Sequence, residues 1–215
     1  IASLVTFAHA NDVDGINVDV EQIDAADVDA YGAFVGRLRD ALRAKNGSGQ
    51  VSVATAAGPT GAAMALAAAA EGADRIFLMG YDYHWAGGPA GPIGPPAWIG
   101  RVLDHALGRC PVEKIELGVP GYGNNWGPNE TQGINWERWV ALVQVHGPES
   151  RDPDSGELCL KFYGREVWMN DAHALSAKLW QARERGVGEA ALWVLGSEDP
   201  RIWALIDSLP EDFVR

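Results

Sequence analysis

Apolar and polar positions follow two periods that take turns along the chain. Val13–Glu21 alternates every second residue, with Ile16, Val18 and Val20 apolar against Asn17, Asp19 and Glu21 polar, which predicts a strand. Tyr31, Phe34, Val35, Leu38 and Leu42 then recur at helical spacing and predict a helix through about Lys45, capped by Asp24 or Asp27 and broken over Asn46–Gly49. The rhythm repeats with a strand at Val51–Ala57, an Ala-rich helix at Gly61–Gly72, a strand at Arg75–Tyr83, a helix at Trp98–Arg109 and a strand at Ile115–Pro120. A Gly/Pro-rich loop interrupts it over Ala86–Pro96. Ile1–Asn11 reads as the end of a helix. From Gly121 to Tyr163 the pattern is irregular apart from one short helix around Trp136–Val145. A helix at Asp171–Gly186, a strand at Glu189–Leu195 and a helix at Pro200–Leu209 complete the reading.

Five strands alternating with helices predict parallel βαβ units and an α/β fold. An open doubly wound sheet and a (β/α)8 TIM barrel both collect function at the carboxyl ends of their strands. Asp19, Glu21, Tyr81, Asp82, Tyr122 and Trp193 all fall there. No Gly-rich phosphate-binding turn follows the first strand, which favours the barrel.

A length of 215 residues suits one domain spanning 1–215. Seventeen Lys and Arg against 29 Asp and Glu give a net charge of −12, which repels phosphate and argues against nucleic acid or an anionic membrane surface as partner. The apolar stretch Ala62–Ala70 is far shorter than the roughly 20 residues that span a bilayer. Cys110, Cys159 and the five histidines have no metal-ligand spacing, so neither a metal nor another cofactor is expected. Nine tryptophans suit a core and equally suit stacking against sugar rings.

On a strand, residues two apart share a face and lie about 6.5 Å apart. Asn17, Asp19 and Glu21 therefore form one polar stripe. Inside a barrel that stripe points at the axis, where repulsion and desolvation raise one carboxyl pKa and prepare a general acid. Glu21, nearest the carboxyl end and with the longer reach, is the better acid. The plain alternative is an amphipathic strand whose polar face meets water.

The run from Asp14 to Glu21, Asp-Gly-Ile-Asn-Val-Asp-Val-Glu, resembles the D-G-x-D-x-D-x-E signature of glycoside hydrolase family 18, the chitinase and N-acetylglucosaminidase family. Leu78–Tyr83 resembles its M-x-Y-D strand, Leu117–Gly123 its G-x-P-x-Y-G strand and Trp193–Pro200 its closing W-x-L-G segment. Val167–Ala172 is similar to bacterial members, including the spore-cortex-lytic-like branch. The resemblance implies hydrolysis of β-1,4-linked N-acetylglucosamine polymers, chitin or peptidoglycan, by a retaining mechanism in which the substrate's own 2-acetamido oxygen is the nucleophile. It assigns Glu21 as general acid and base, Asp19 as the residue that orients the acetamido group, and Tyr81 as the donor to its oxygen. Asp14, Asn17, Met79, Asp82, Tyr122 and Trp193 complete the substrate-binding set, with Trp193 as the floor beneath the sugar. Trp85, Trp126 and Trp136 read equally as extra sugar platforms or as packing, and His84 as structural.

Asn17 stands where the family usually has Asp, and Asn124 where many members have Arg. The 35 residues between Trp126 and Phe162 are too few for the α+β domain that deepens the cleft of large processive chitinases, so a shallower groove is expected. The family's acid-bearing strand is the fourth of eight. Its position near residue 14 leaves strands four to eight, with on the order of 90 residues of preceding βα units missing. An excerpt of a longer chain with further domains is the expectation. An extracellular or cell-wall location follows from the substrate class. A chitinase-like lectin that binds such sugars without cutting them is the competing function.

Overall fold

The structure, a computed structural model, describes residues 1–21, 23–47 and 49–210. Ser48, in the expected helix breaker, lies outside the described residues. In chain order the elements are α1 (Ala2–Ala10), β1 (Gly15–Val18), α2 (Val28–Asn46), β2 (Gln50–Ala56), α3 (Pro59–Ala70), β3 (Arg75–Met79), α4 (Pro96–Leu107), β4 (Ile115–Pro120), β5 (Gly123–Trp126), β6 (Thr131–Ile134), α5 (Trp136–His146), β7 (Ser150–Arg151), β8 (Leu158–Phe162), β9 (Arg165–Met169), α6 (Ala172–Arg183), β10 (Glu189–Trp193) and α7 (Arg201–Ser208). They fall into two compact units. One holds Ile1–Met79 with Asp104–Glu116, the other Gly80–Leu103 with Leu117–Arg215.

In the first unit β1, β2 and β3 form a parallel ladder, with Ile16 opposite Val51 and Val53 opposite Ile76. Tyr31, Val35, Leu38 and Leu42, the apolar face of α2, are buried as their spacing requires. Small residues let the backbones approach closely: a Cβ on Gly32 would stand 3.0 Å from that of Ala67 on α3. Asp74 ties helix to sheet, taking Arg43 Nη2 on one oxygen (2.6 Å) and the Val51 N–H on the other (2.9 Å). Two local expectations fail. Asp27 stands at the N-cap of α2, but neither it nor Asp24 makes a side-chain capping bond. The first strand ends at Val18, because β1 has a ladder partner on the β2 side alone, and Asp19 to Glu21 lie beyond it.

In the second unit the part of β4 from Leu117 onward leads to Gly121, whose N–H donates to the Trp193 carbonyl (2.6 Å) at the end of β10. The stretch expected to be irregular is an antiparallel sheet in the order β6-β5-β9-β8-β7. One of its faces, with Ile134, Leu158, Leu160, Val167 and Met169, packs on Trp139 and Leu142 of α5. Sheet and helix together make a small α+β layer. Its strands have two to five residues, too few for period two to stand out, and β5 carries buried Asn124 and Asn125. Tyr163 and Gly164, at φ 44° and 75°, make the two-residue hairpin turn between β8 and β9. Positive φ at both central residues matches the right-handed twist of the strands.

Candidate active site

The carboxylate run belongs to the first unit. Asn17 donates from Nδ2 to Ser52 Oγ on β2 (2.7 Å), which fixes its side chain on the exposed face of the sheet. Asp14, Asp19 and Glu21 are all exposed, so the described residues do not form the closed interior expected around Asp19 and Glu21. The reason is architectural: β1 is the free edge of its ladder, and both acids follow its last paired residue. Asp19 nevertheless has a specific neighbour. The Tyr31 phenol is pushed up to about 12, by burial and then by the negative charge of Asp19. Its hydroxyl has no hydrogen-bond partner among the described residues. Met79 closes β3 half-buried, at the carboxyl end of the same parallel ladder.

The second unit holds Tyr81, Asp82, Tyr122 and Trp193. Tyr122 donates its hydroxyl to Asp82 Oδ1. Burial, followed by that bond and charge, drives the Tyr122 phenol far above its ordinary range, so it remains a donor at every physiological pH. Tyr81 meets the Tyr122 ring edge-on, with centroids 6.2 Å apart. Both rings pack against buried Ile93, Trp126, Cys159 and Trp168. Asp82 has φ 60°, a conformation Asp tolerates better than most residues and one that often marks a functional turn.

The loop that follows is clamped from beneath. Glu157, fully buried before β8, accepts the N–H groups of Ile93 (2.7 Å) and Gly94 (2.8 Å) and pairs with fully buried Lys178 of α6 (3.1 Å). Ile93 returns its carbonyl to the Tyr83 N–H (2.8 Å), and the His84 ring bonds the Pro92 carbonyl (2.8 Å). Sequence reasoning missed this pair. A signal existed, since Lys178 interrupts the buried face of Ala174, Leu175, Leu179 and Ala182 on α6.

Trp193, the expected floor beneath the sugar, is 49% exposed, and with Tyr122 it lines a cavity of about 500 Å³. The other indoles separate. Trp85 is 58% exposed, whereas Trp126 is core and donates towards the Trp85 carbonyl (3.4 Å). Trp136 lies beneath the Arg201 guanidinium at 5.0 Å.

The model of Glycosyl hydrolases family 18 matches residues 1–197. The chain belongs to that family. This family 18 chain is 24% identical over 212 residues to the cortical fragment-lytic enzyme of Bacillus subtilis (strain 168), covering 89% of this chain and 48% of that protein. The spore cortex-lytic enzyme SleL of Bacillus megaterium QM B1551 superposes with a TM-score of 0.84 at 25% identity, over 100% of this chain and 52% of that one. A chitinase from Chromobacterium violaceum ATCC 12472 gives 0.81 at 28% identity, over 96% of this chain and 69% of that one. The resemblance read from the motifs, including the spore-cortex branch, therefore holds, and the chain spans about half the length of its cortex-lytic relatives.

Proposed function

We propose that this chain carries the reacting half of a secreted or cell-wall glycosidase that cleaves β-1,4-linked N-acetylglucosamine polymers with retention of configuration. The observation that carries the reading is the pair of acids, Asp19 and Glu21, spaced two residues apart just past the carboxyl end of a parallel strand. In this reading the five parallel strands are the last five of a (β/α)8 barrel forming one catalytic domain. The free edge of β1 is where a preceding strand would pair and enclose the acids.

Glu21 protonates the glycosidic oxygen while the acetamido oxygen attacks the anomeric carbon, so the leaving sugar departs as an alcohol and an oxazolinium ion forms. Asp19 holds the acetamido N–H and offsets the positive charge that develops there. Tyr81 donates to the acetamido oxygen, and Trp193 supports the ring. Glu21, now a carboxylate, then takes a proton from water, whose oxygen attacks the same carbon and regenerates the acetamido group. Asp14, Asn17 and Met79 line the carboxylate side of the site. Tyr122 holds Asp82, its bonded partner, beside Tyr81.

Proton NMR of the first product released by the full-length protein from chitotetraose tests this. The β anomer should appear before mutarotation, and a substrate with 2-hydroxyl in place of 2-acetamido should not be cut. Release of the α anomer would contradict the mechanism, and glycan binding without any turnover would favour the lectin.

A further inference from the structure

Tyr81 and Asp82 lie on a stretch, residues 80–83, that is pinned at both ends to one short segment of the same unit. At its start Gly80 and Gly94 press backbone to backbone, since a Cβ on Gly94 would stand 2.9 Å from the Gly80 carbonyl oxygen. At its end the Tyr83 N–H donates to the Ile93 carbonyl (2.8 Å), and the His84 ring bonds the Pro92 carbonyl (2.8 Å). Whatever fixes Ile93 and Gly94 therefore fixes the backbone that carries Tyr81.

Glu157 fixes both. Its Oε2 accepts the Ile93 N–H (2.7 Å) and its Oε1 the Gly94 N–H (2.8 Å), while Lys178 Nζ stands 3.1 Å from Oε1. Lys178 bears on the same place through its stem, because a Cβ on Gly94 would lie 3.1 Å from Lys178 Cε. The acid is held in turn by the segment leading into β8. Its own N–H donates to Ser155 Oγ (3.2 Å), and the Ser155 hydroxyl donates to Asp152 Oδ1 (2.7 Å). A chain of bonds thus runs from the antiparallel layer to the flanks of Tyr81.

A brace that served stability alone could be apolar, since buried ion pairs often yield to packed hydrocarbon without loss. Here two backbone donors and an ammonium meet two acceptor oxygens, which an uncharged side chain cannot offer. A Gln has one acceptor oxygen, so its NH2 would face either the Ile93 N–H or the Gly94 N–H with Lys178. Asp82, at φ 60°, adds a conformation that persists where the surroundings over-determine it. What the arrangement supplies is positional precision, and a shift of about 1 Å at a reacting group can cost about 10²-fold in rate.

We propose that Glu157, with Lys178 as its counter-ion, is a positioning residue that holds the Tyr81 hydroxyl where it donates to the substrate's acetamido oxygen. The role rests on the glycosidase reading of Tyr81. Glu157 contributes to turnover without touching the glycan, from which its full burial excludes it.

The test is a double-mutant cycle on the full-length protein with chitotetraose: wild type, Glu157→Gln, Tyr81→Phe and the two together, all shown folded by circular dichroism. Glu157→Gln should lower kcat about ten- to a hundredfold and move KM by less than about threefold, because the misplaced bond matters most in the transition state. In the Tyr81→Phe background the same change should cost less than about twofold, since the hydroxyl it positions is already gone. A merely structural brace would cost one factor in both backgrounds. That result, or a loss through KM alone, would overturn the assignment. Should Glu157→Gln not fold, Gly94→Ala takes its place in the cycle. Its methyl pushes on the Gly80 carbonyl with Glu157 and Lys178 both present, and its cost should depend on Tyr81 in the same way. Absence of turnover in the wild type would sink the glycosidase reading by itself. Hydrogen exchange then still decides whether the brace holds residues 80–83. In the folded variant the Tyr83 N–H should lose protection at least about tenfold more than the amides of β9, and equal losses would overturn the brace.

Discussion

Lys178 Nζ lies 3.1 Å from Glu157 Oε1 with both side chains fully buried, and the same carboxylate holds the Ile93 and Gly94 N–H groups. Burial lowers the Lys178 pKa while Glu157 pulls it back up, which is the balance of a pair that survives through its hydrogen bonds. Lys178→Met leaves a buried carboxylate uncompensated and should cost about 3–5 kcal/mol in urea unfolding. Many buried pairs tolerate an apolar swap, but Glu157→Leu/Lys178→Met should not, because two backbone donors lose their acceptor at about 1–3 kcal/mol each. Recovery of wild-type stability by the double variant would show that the loop needs no clamp.

The Tyr122–Asp82 bond predicts a split between stability and function. Tyr122→Phe keeps the packing against Tyr81 and removes one bond to an exposed carboxylate, so urea stability should fall by no more than about 1.5 kcal/mol. Asp82 then loses its tether beside Tyr81. Under the proposed mechanism kcat should fall at least as steeply as kcat/KM, and a pure KM effect would argue against that role.

Acid should act through Asp171. Burial opposes its charge, but the Arg151 fork, the Ala174 N–H and Arg201 outweigh burial and hold the carboxyl below its ordinary range. A depressed folded pKa means the stabilisation is complete above the unfolded value of about 3.9 and is lost as pH falls through the lower folded value. Asp171→Asn should therefore flatten the decline of stability below about pH 4 while being less stable near neutrality. An identical acid limb in both proteins would contradict this.

Two tryptophans should respond oppositely. Trp126→Ala opens the cluster with Ile93, Cys159 and Trp168 and should cost about 3–5 kcal/mol. Trp193→Ala removes a half-exposed ring, so stability should change by under about 1 kcal/mol while glycan affinity drops severalfold. Calorimetric unfolding and glycan titration on each variant separate the two.

The parallel strands were legible because each carries several residues of one period between helices of the other, and β4 matches its expected bounds at Ile115–Pro120. The antiparallel layer was not. Its ladder is made by backbone pairing between four-residue segments such as β5 and β6, whose order no local pattern encodes. The site divides in the same way. Motif spacing put forward Asp19, Glu21, Tyr81 and Trp193 as candidates. It could not show that Asp19 and Glu21 sit exposed past the end of β1, since enclosure depends on what pairs with an edge. Glu157 escaped because a single charged residue acquires meaning only from its burial.

The central claim is that Glu21 moves the proton. It is tested most directly by kcat of the full-length protein on chitotetraose, wild type against Glu21→Gln, with circular dichroism confirming equal folding. The account predicts a loss of about 10²- to 10⁴-fold. Activity of Glu21→Gln within twofold of wild type would contradict it.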